Sequence, residues 1–205
     1  MSLKIIHTGD VHIGAKFEKL GEKGRDQRDQ IKKTFEKIVD YTIKNKVNAF
    51  LIAGDLFDSA NPSLYSVTFV KGLFKKLNDA GIYVFVLPGT HDRLETGSVY
   101  DTDDFSDCGE RIIVFNDTSK NSYYVQELNA CFYANPNVSN KSTKSPIRDF
   151  NLDENPKLHI AMAHGSLQIP GKSSEDDYPI TVEEIEKSKM NYIALAHWHN
   201  TLDVS

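Results

Sequence analysis

Five apolar runs divide the chain, and longer polar or amphipathic segments separate them. Continuous apolar runs without polar alternation are typical of strands that are buried on both faces of a sheet. We therefore predict strands over residues 4–9, 48–53, 82–87, 158–163 and 192–196.

Between these runs, the hydrophobic positions recur with the spacing of an α-helix. Residues 25–46 carry apolar side chains on one face and charges between them, which predicts an amphipathic helix. Residues 63–78 predict a second helix. A third is predicted over 181–189, where Thr181 and Glu184 have the spacing of a capping box.

The middle of the chain has a weaker pattern. Three shorter runs, which we expect to pair as antiparallel strands, span residues 111–115, 123–126 and 131–134. Polar composition predicts loops over 135–156 and 168–180, and the acidic stretch 101–110 predicts a solvated loop. Strands that alternate with helices indicate an α/β layered fold.

Polar side chains with metal-binding chemistry follow each of the five buried strands. They are Asp10 and His12, then Asp55 and Asp58, then Thr90, His91 and Asp92, then His164, and finally His197 and His199. Ligands of open α/β sheets gather at the carboxyl ends of the strands, so these groups are expected to share one crevice. Imidazole and carboxylate without thiolate suit Mn, Fe, Zn or Co. The donors outnumber the ligands of one tetrahedral ion, which favours a two-metal site bridged by one aspartate.

Charge and composition narrow the function classes. The chain has 205 residues and a net charge of −5, which argues against a nucleic-acid-coating protein but permits an enzyme that contacts DNA through metals. Its apolar runs are too short to span a bilayer, and no apolar signal segment follows Met1. Cys108 and Cys131 lack a metal-binding spacing and are typical of idle thiols in a reducing cytoplasm, the expected location.

The blocks, taken in order, resemble a known family. They read Gly9-Asp10-Val11-His12, Gly54-Asp55-Leu56-Phe57-Asp58, Gly89-Thr90-His91-Asp92, His164-Gly165 and Ala196-His197-Trp198-His199. This order resembles the calcineurin-like metallophosphoesterases and, among them, the SbcD-type DNA repair exonucleases, the nuclease subunit of double-strand-break processing complexes. The resemblance covers essentially the whole chain. It implies a four-layer α/β/β/α sandwich in which two mixed sheets are flanked by helices.

The resemblance also implies a role for each block. The first metal would be held by Asp10, His12 and His199, the second by His164 and His197 with Thr90 at the position of a further ligand, and Asp55 would bridge both. Mn²⁺ is the expected ion at both positions, with Fe, Zn or Co as alternatives. His91 would stabilise charge or protonate the leaving oxygen, Asp92 would orient the His91 ring, and Asp58 would support the ligand shell.

Two positions depart from the family pattern. Thr90 stands where the family has a metal-binding asparagine, and Ala196 stands where it usually has glycine. A threonine hydroxyl is shorter than an amide side chain and its χ1 is stiff, so we expect a weaker second metal site. Ala196 is a smaller change that bears on backbone clearance.

The expected function is two-metal phosphodiester hydrolysis by a DNA exonuclease or endonuclease in DNA repair. The alternatives are a small-molecule or phosphoprotein phosphoesterase, and a partner-binding module with a degenerate metal site. Expected partners are DNA, an SMC-like ATPase subunit and a second copy of the chain, with no membrane contact. The resemblance implies that residues 1–205 are the nuclease domain at the start of a longer protein, because nuclease members of the family continue past the last histidine pair. Residues 202–204 also have the pattern of a strand beginning.

Overall fold

A computed structural model of the protein describes residues 2–152, 154, 156–169 and 174–199. Strands and helices alternate along most of these residues. In chain order they are β1 (Ile5–Thr8), α1 (Lys23–Lys44), β2 (Ala49–Ala53), α2 (Leu64–Asp79), β3 (Tyr83–Leu87), α3 (Val99–Thr102), β4 (Ile112–Val114), β5 (Ser122–Val125), β6 (Ala130–Ala134), β7 (Leu158–His164), α4 (Val182–Lys187) and β8 (Tyr192–Ala196). Short 3₁₀ turns cover Glu18–Leu20, Phe105–Cys108 and Gln126–Leu128.

The strands form two four-stranded sheets, in the orders β1-β2-β3-β4 and β5-β6-β7-β8. All pairs in the first sheet are parallel, whereas β5 runs antiparallel to β6 in the second. The predicted α/β fold is therefore confirmed, but only one sheet is mixed where two were expected. The reason is that a segment containing helix returns the chain between successive strands of the first sheet, and such crossovers produce parallel pairing.

The two sheets pack face to face through alternate residues of their strands. Leu51 of β2 faces the second sheet, where Met162 of β7 belongs to the same buried cluster. The rings of Phe85 and Phe132 stack with 3.9 Å between their centroids, which joins the sheets at their centre. This packing fixes the two sets of strand ends relative to one another.

Helices cover the outer faces. Phe35 of α1 and Phe74 of α2 pack on the opposite face of the first sheet, against Phe50 and Ile52. On the outer face of the second sheet, Ile185 of α4 joins a cluster that loop residues complete. The expected α/β/β/α layering is confirmed.

Helix ends agree with the sequence signals. The Ser63 side chain accepts a hydrogen bond from the Ser66 N–H at 3.3 Å and caps α2. Thr181 and Glu184 form the predicted capping box at the start of α4. These caps satisfy backbone donors that a helix start leaves without a partner.

The runs at 123–126 and 131–134 pair as antiparallel strands, as expected, but two other expectations for the middle of the chain are wrong. Strand β4 pairs in parallel with β3, not antiparallel, because residues 99–108 form a helical crossover instead of a solvated loop. Phe105 and Cys108 are buried in it, and Asp107 lies 3.0 Å from Lys71 of α2. The stretch is helical and packed against the protein because its apolar side chains are buried, although its acidic side chains suggested a loop.

The strand expected to begin at residues 202–204 lies outside the described residues. Among the helices that are described, none is both long enough and apolar enough to cross a bilayer.

Candidate metal centre

The loops that follow β1 and β2 run side by side. The Asp10 N–H donates to the Gly54 carbonyl at 3.1 Å, and the His12 N–H donates to the Asp55 carbonyl at 3.0 Å. The parallel pairing thus continues past the strands into both motif loops. It brings the first two donor blocks together at one end of the sheet.

Backbone strain accompanies this arrangement. Asp10, His12 and Asp55 each have φ of 52°, and His197 has φ of 116°, in the region that favours glycine. Such conformations cost roughly 1–3 kcal/mol each and persist where the surrounding structure imposes them. Strain at four donor positions is typical of a functional site.

Three glycines allow the loops to approach one another closely, because a side chain at any of these positions would collide with a neighbouring residue. A Cβ at Gly54 would lie 2.2 Å from His164 Nδ1, and one at Gly89 would lie 2.2 Å from Asp55 Oδ1. At Gly9 it would lie 2.3 Å from the Cβ of Ala196. The alanine that departs from the family pattern therefore fits, because its methyl group occupies the space that Gly9 leaves open.

A first donor cluster consists of Asp10, His12 and His199. One ligand atom of each lies within 4.8 Å of those of the other two. Asp10 Oδ1 and His12 Nε2 are buried and have no hydrogen-bond partner among the described residues. Because an orphaned buried carboxylate oxygen and imidazole nitrogen are costly, these atoms fit a bound cation.

A second donor cluster consists of Asp55, His164 and His197, again within 4.8 Å of one another. His164 Nε2 lies 3.3 Å from Asp55 Oδ2 and 3.1 Å from His197 Nδ1. Its other nitrogen, Nδ1, faces the Ala53 carbonyl at 3.0 Å, which fixes the ring. His164 is fully buried, and the other two side chains are mostly so.

A single carboxylate oxygen joins the two clusters. Asp55 Oδ2 lies 3.3 Å from His164 Nε2 and 3.9 Å from His12 Nε2. Two donors that are each about 2.1 Å from one ion are at most about 4.2 Å apart, so Asp55 can share its oxygen between two ions. Its other oxygen, Oδ1, accepts the His91 N–H at 2.8 Å, which fixes the carboxylate.

Electrostatics shift Asp55 and His12 toward the forms that bind a cation. In His164, by contrast, burial is outweighed by the hydrogen bond and charge of Asp55, which raise the pKa of the ring. Burial alone would raise the pKa of the Asp55 carboxyl, but the hydrogen bond and charge of His164 outweigh burial and hold that pKa well below its usual range. Burial lowers the pKa of His12, which favours the neutral ring. An ionised carboxylate and a neutral imidazole can both bind a cation.

Thr90 lies inside the second donor cluster. Its hydroxyl is 3.4 Å from Asp55 Oδ2 and 3.5 Å from His164 Nε2, and only 7% of the residue is exposed. The hydroxyl therefore points at the position expected for the second cation. Its ligation of that cation stays a prediction.

Asp58 lies beside Nδ1 of His12, the ring nitrogen opposite the one that faces Asp55. Its Oδ1 lies 3.2 Å from His12 Nδ1, off the line of a hydrogen bond, so the contact is electrostatic. His91 Nδ1 lies 3.3 Å from the Asp58 carbonyl and 3.9 Å from Asp58 Oδ1. Asp58 thus lies beside both imidazoles.

Asp92 has a different position from the one expected. Its Oδ1 accepts the N–H groups of Asp55 and Gly89 at 3.2 and 2.7 Å, and its Oδ2 accepts the Phe57 N–H and the Tyr100 hydroxyl at 3.0 and 2.7 Å. Both oxygens hold the motif loops together, so the expectation that Asp92 orients the His91 ring is corrected. Burial and the charge of Asp55 raise the pKa of Asp92 to about 6, although these donors oppose the shift.

Replacing Tyr100 with phenylalanine is expected to lower the free energy of unfolding by about 1.5–3 kcal/mol, the range for a buried hydrogen bond to a charged group. Tyr100 is 1% exposed, and its hydroxyl donates to the fully buried Asp92. Urea unfolding measures the change. Tyr65→Phe, at an exposed tyrosine, is the matched control and should change little; an equal effect in both variants would contradict the role of the Asp92 hydrogen bond.

His91 lies at the rim of the site. Half of its side chain is exposed, and its ring packs edge-on against His12 with 4.7 Å between centroids. One of its nitrogens also groups with the ligand atoms of His12 and Asp55. This geometry suits a group that faces substrate, and it leaves metal ligation as the competing role.

Sequence reasoning missed Asp177, which lies beside His197. Asp177 Oδ1 is 2.9 Å from His197 Nε2, on the side of the ring away from His164. Asp177 occupies a polar loop that precedes α4, where neighbouring carboxylates look alike in the sequence. No spacing or periodicity separates it from Asp176.

Comparison with known proteins gives one family. The family model described as calcineurin-like phosphoesterase matches residues 3–201. The chain is 30% identical over 217 residues to the uncharacterized metallophosphoesterase YhaO of Bacillus subtilis (strain 168), an alignment that covers 96% of this chain and 48% of YhaO.

A DNA repair protein and a nuclease subunit match over shorter stretches. The DNA double-strand break repair protein Mre11 of Aeropyrum pernix is 42% identical over 89 residues, 43% of this chain and 21% of Mre11. SbcD, a subunit of the nuclease SbcCD of Escherichia coli (strain K12), is 30% identical over 94 residues, 46% of this chain and 22% of SbcD. The chain spans about half the length of the curated relatives that it matches almost throughout.

Proposed function

Because the chain belongs to the calcineurin-like phosphoesterase family, we propose that it hydrolyses phosphodiester bonds in DNA with two Mn²⁺ ions, as a nuclease in DNA repair. Phosphoester hydrolysis at a dinuclear metal site is the activity of the family. DNA as the substrate, manganese as the metal and repair as the process are our proposals.

The observation that carries the proposal is the shared oxygen of Asp55. Asp55 Oδ2 lies within 3.9 Å of a nitrogen from each donor cluster. A carboxylate shared in this way is the expected bridge between two cations. The donors are imidazole and carboxylate without thiolate, a set that suits Mn²⁺.

Asp10, His12 and His199 would hold one cation, His164 and His197 the other, and Asp55 both. The chemistry that such a pair supplies when bound is the activation of water and the neutralisation of phosphoryl charge. The protein contributes a rigid frame, because Asp92 ties the Asp55 and Gly89 loops together.

His91 would act on the leaving group. It is exposed at the rim of the site and adjoins both His12 and Asp58. An imidazole there is suitably placed to hydrogen-bond a phosphoryl oxygen or to give a proton to the departing oxygen. In this role Asp58, rather than Asp92, is the acidic neighbour of the ring.

The nuclease relatives support DNA as the substrate, since Mre11 and SbcD carry DNA repair or nuclease activity in their names. We also propose that the protein acts in the cytoplasm, with an SMC-like ATPase subunit and a second copy of the chain as partners. The prediction that residues 1–205 are the nuclease domain at the start of a longer protein also stays a proposal. The reading frame of the gene tests it, and a stop directly after Ser205 would contradict it.

Hydrolysis of defined substrates tests the proposal. Purified protein, first treated with chelator and then reloaded with Mn²⁺, is incubated with single-stranded DNA, double-stranded DNA, a bis-aryl phosphodiester and an aryl phosphomonoester. We expect cleavage of DNA that requires Mn²⁺ and stops on renewed chelation. Hydrolysis of the small esters without DNA cleavage would support the small-molecule alternative. No hydrolysis by a folded protein that binds at most one ion would support the partner-binding alternative.

Thr90→Asn is expected to tighten the second metal site. An amide oxygen reaches further than the threonine hydroxyl, which lies 3.4 Å from Asp55 Oδ2, and it adds a neutral ligand to the second donor cluster. We expect two classes of Mn²⁺ affinity in the wild type, with the looser class tightened in the variant. Activity should then rise at low Mn²⁺ and change little at saturation.

Calorimetric titration with Mn²⁺ compares the two proteins. Thr118→Asn, at an exposed threonine that belongs to neither donor cluster, is a matched control that should leave both affinities unchanged. Equal affinities at both sites, unchanged by Thr90→Asn, would show that the threonine hydroxyl already serves as an adequate ligand.

A further inference from the structure

We propose that Asp177 is a positioning residue that sets the tautomer and orientation of His197 for the second cation. The proposal rests on the two-metal site of the proposed function. It adds a residue that lies 20 positions before His197 in the chain and belongs to none of the motif blocks.

The His197 ring has a different neighbour at each nitrogen. Nδ1 faces His164 Nε2 at 3.1 Å, inside the second donor cluster, and Nε2 faces Asp177 Oδ1 at 2.9 Å. A carboxylate can only accept a hydrogen bond, so Nε2 donates to it, and in the neutral ring Nδ1 then keeps its lone pair. Nδ1, the nitrogen that faces the second donor cluster, is then free to bind a cation.

When both rings are neutral, the tautomer of His197 is opposite to that of its neighbour His164. In His164, Nδ1 donates to the Ala53 carbonyl, and Nε2 faces Asp55 and His197. One ring therefore presents Nε2 to the second cation and the other presents Nδ1. Without Asp177, nothing described around His197 Nε2 would select this tautomer over the other.

Asp177 is itself held in place. Its second oxygen, Oδ2, accepts a hydrogen bond from the hydroxyl of Ser166, which is fully buried. That hydroxyl accepts the indole N–H of Trp198 at 2.8 Å. The Ser166 N–H also donates to the Asp177 carbonyl at 3.2 Å. A chain of contacts thus links Trp198, Ser166 and Asp177 back to His197.

This chain of contacts explains how the strained His197 backbone can hold a defined ring position. With φ of 116°, His197 leaves β8 in a conformation that few side chains stabilise. Asp177 holds the His197 ring at Nε2, and Ser166 holds the indole of the next residue, Trp198. The segment is thereby fixed at two points.

The variants Asp177→Ala and Asp177→Asn test the role, with Asp176→Ala as the matched control. Asp176 lies on the same loop and carries the same charge, but it binds Lys141 at 2.8 Å instead of a histidine. Loss of an outer partner of a metal-binding histidine typically lowers metal affinity by about 10–100-fold. We expect this loss for Asp177→Ala at the looser Mn²⁺ site, a smaller loss for Asp177→Asn, whose oxygen still accepts, and none for Asp176→Ala.

The tautomer provides a readout that does not depend on activity or on metal. Long-range ¹H–¹⁵N correlation spectra of metal-free, histidine-labelled protein should show the His197 proton on Nε2 in the wild type. Asp177→Ala should populate the Nδ1-protonated form, and Ser166→Ala should do so less. A purely structural role of the loop would leave the tautomer unchanged.

Unchanged affinity and unchanged tautomer in Asp177→Ala would overturn the inference. Equal losses of affinity in Asp177→Ala and Asp176→Ala would do the same, since they would indicate a general effect of the loop. A wild type that binds fewer than two Mn²⁺ ions would instead refute the proposed function, and the metal-free spectra would still decide the role of Asp177.

Discussion

Asp55→Asn is expected to abolish hydrolysis, by about 10³-fold or more, while the protein stays folded. The bridging role is the reason, because Asp55 Oδ2 adjoins a nitrogen of both donor clusters. Loss of its charge weakens both cation positions together. The two cations would stabilise the charge of the transition state by several kcal/mol, and each 1.4 kcal/mol corresponds to a tenfold change in rate.

The fold should tolerate this change. Asparagine has almost the same volume, and its amide oxygen can still accept the His91 N–H that Asp55 Oδ1 accepts at 2.8 Å. The core contacts between the sheets involve other residues. Circular dichroism and urea unfolding should therefore be close to those of the wild type.

Three measurements decide the outcome of Asp55→Asn: the rate of DNA or phosphodiester cleavage, the Mn²⁺ stoichiometry and the free energy of unfolding. Asp79→Asn, at the exposed end of α2, makes the same chemical change far from the donors and should alter none of them. Near-normal activity in folded Asp55→Asn protein would refute the two-metal interpretation.

His91→Ala is expected to retain both metals and to lose rate by about 10²–10⁴-fold, the range for acid–base groups. The half-exposed position of the ring at the rim of the site supports a contact with substrate. Its backbone N–H, which donates to Asp55, is unaffected by the substitution. The variant therefore removes the imidazole ring and leaves this backbone hydrogen bond in place.

The leaving group distinguishes the possible roles of His91. An activated aryl ester departs without protonation, so its hydrolysis should be much less affected by His91→Ala than cleavage of DNA is. His7→Ala, at a histidine of β1 that lies outside both donor clusters, is the control. Loss of one Mn²⁺ per chain in His91→Ala would make His91 a ligand, the competing role that its proximity to His12 and Asp55 allows.

The sequence alone predicted the elements that are decided locally. Buried strands such as 82–87 read as unbroken apolar runs because both faces of a sandwiched sheet exclude water, and the Thr181 capping box is a contact between near neighbours. The placement of donors after the strands also followed from sequence, since parallel strands deliver their carboxyl ends to one edge. Of the groups expected to line the site, the structure brings Asp10, His12, Asp55, His164, His197 and His199 into two adjoining clusters.

Only the tertiary structure decided which group faces which. Asp92 binds backbone donors and Tyr100 instead of His91, β4 runs parallel because a short helical crossover precedes it, and Asp177 reaches His197 across 20 residues. These outcomes depend on contacts between residues distant in the chain and on side-chain rotamers set by packing. A carboxylate in a polar loop has the same local pattern whether it pairs with a lysine, like Asp176, or with a histidine, like Asp177. Burial and hydrogen-bond geometry distinguish the two, and they arise only when the sheets and loops have packed.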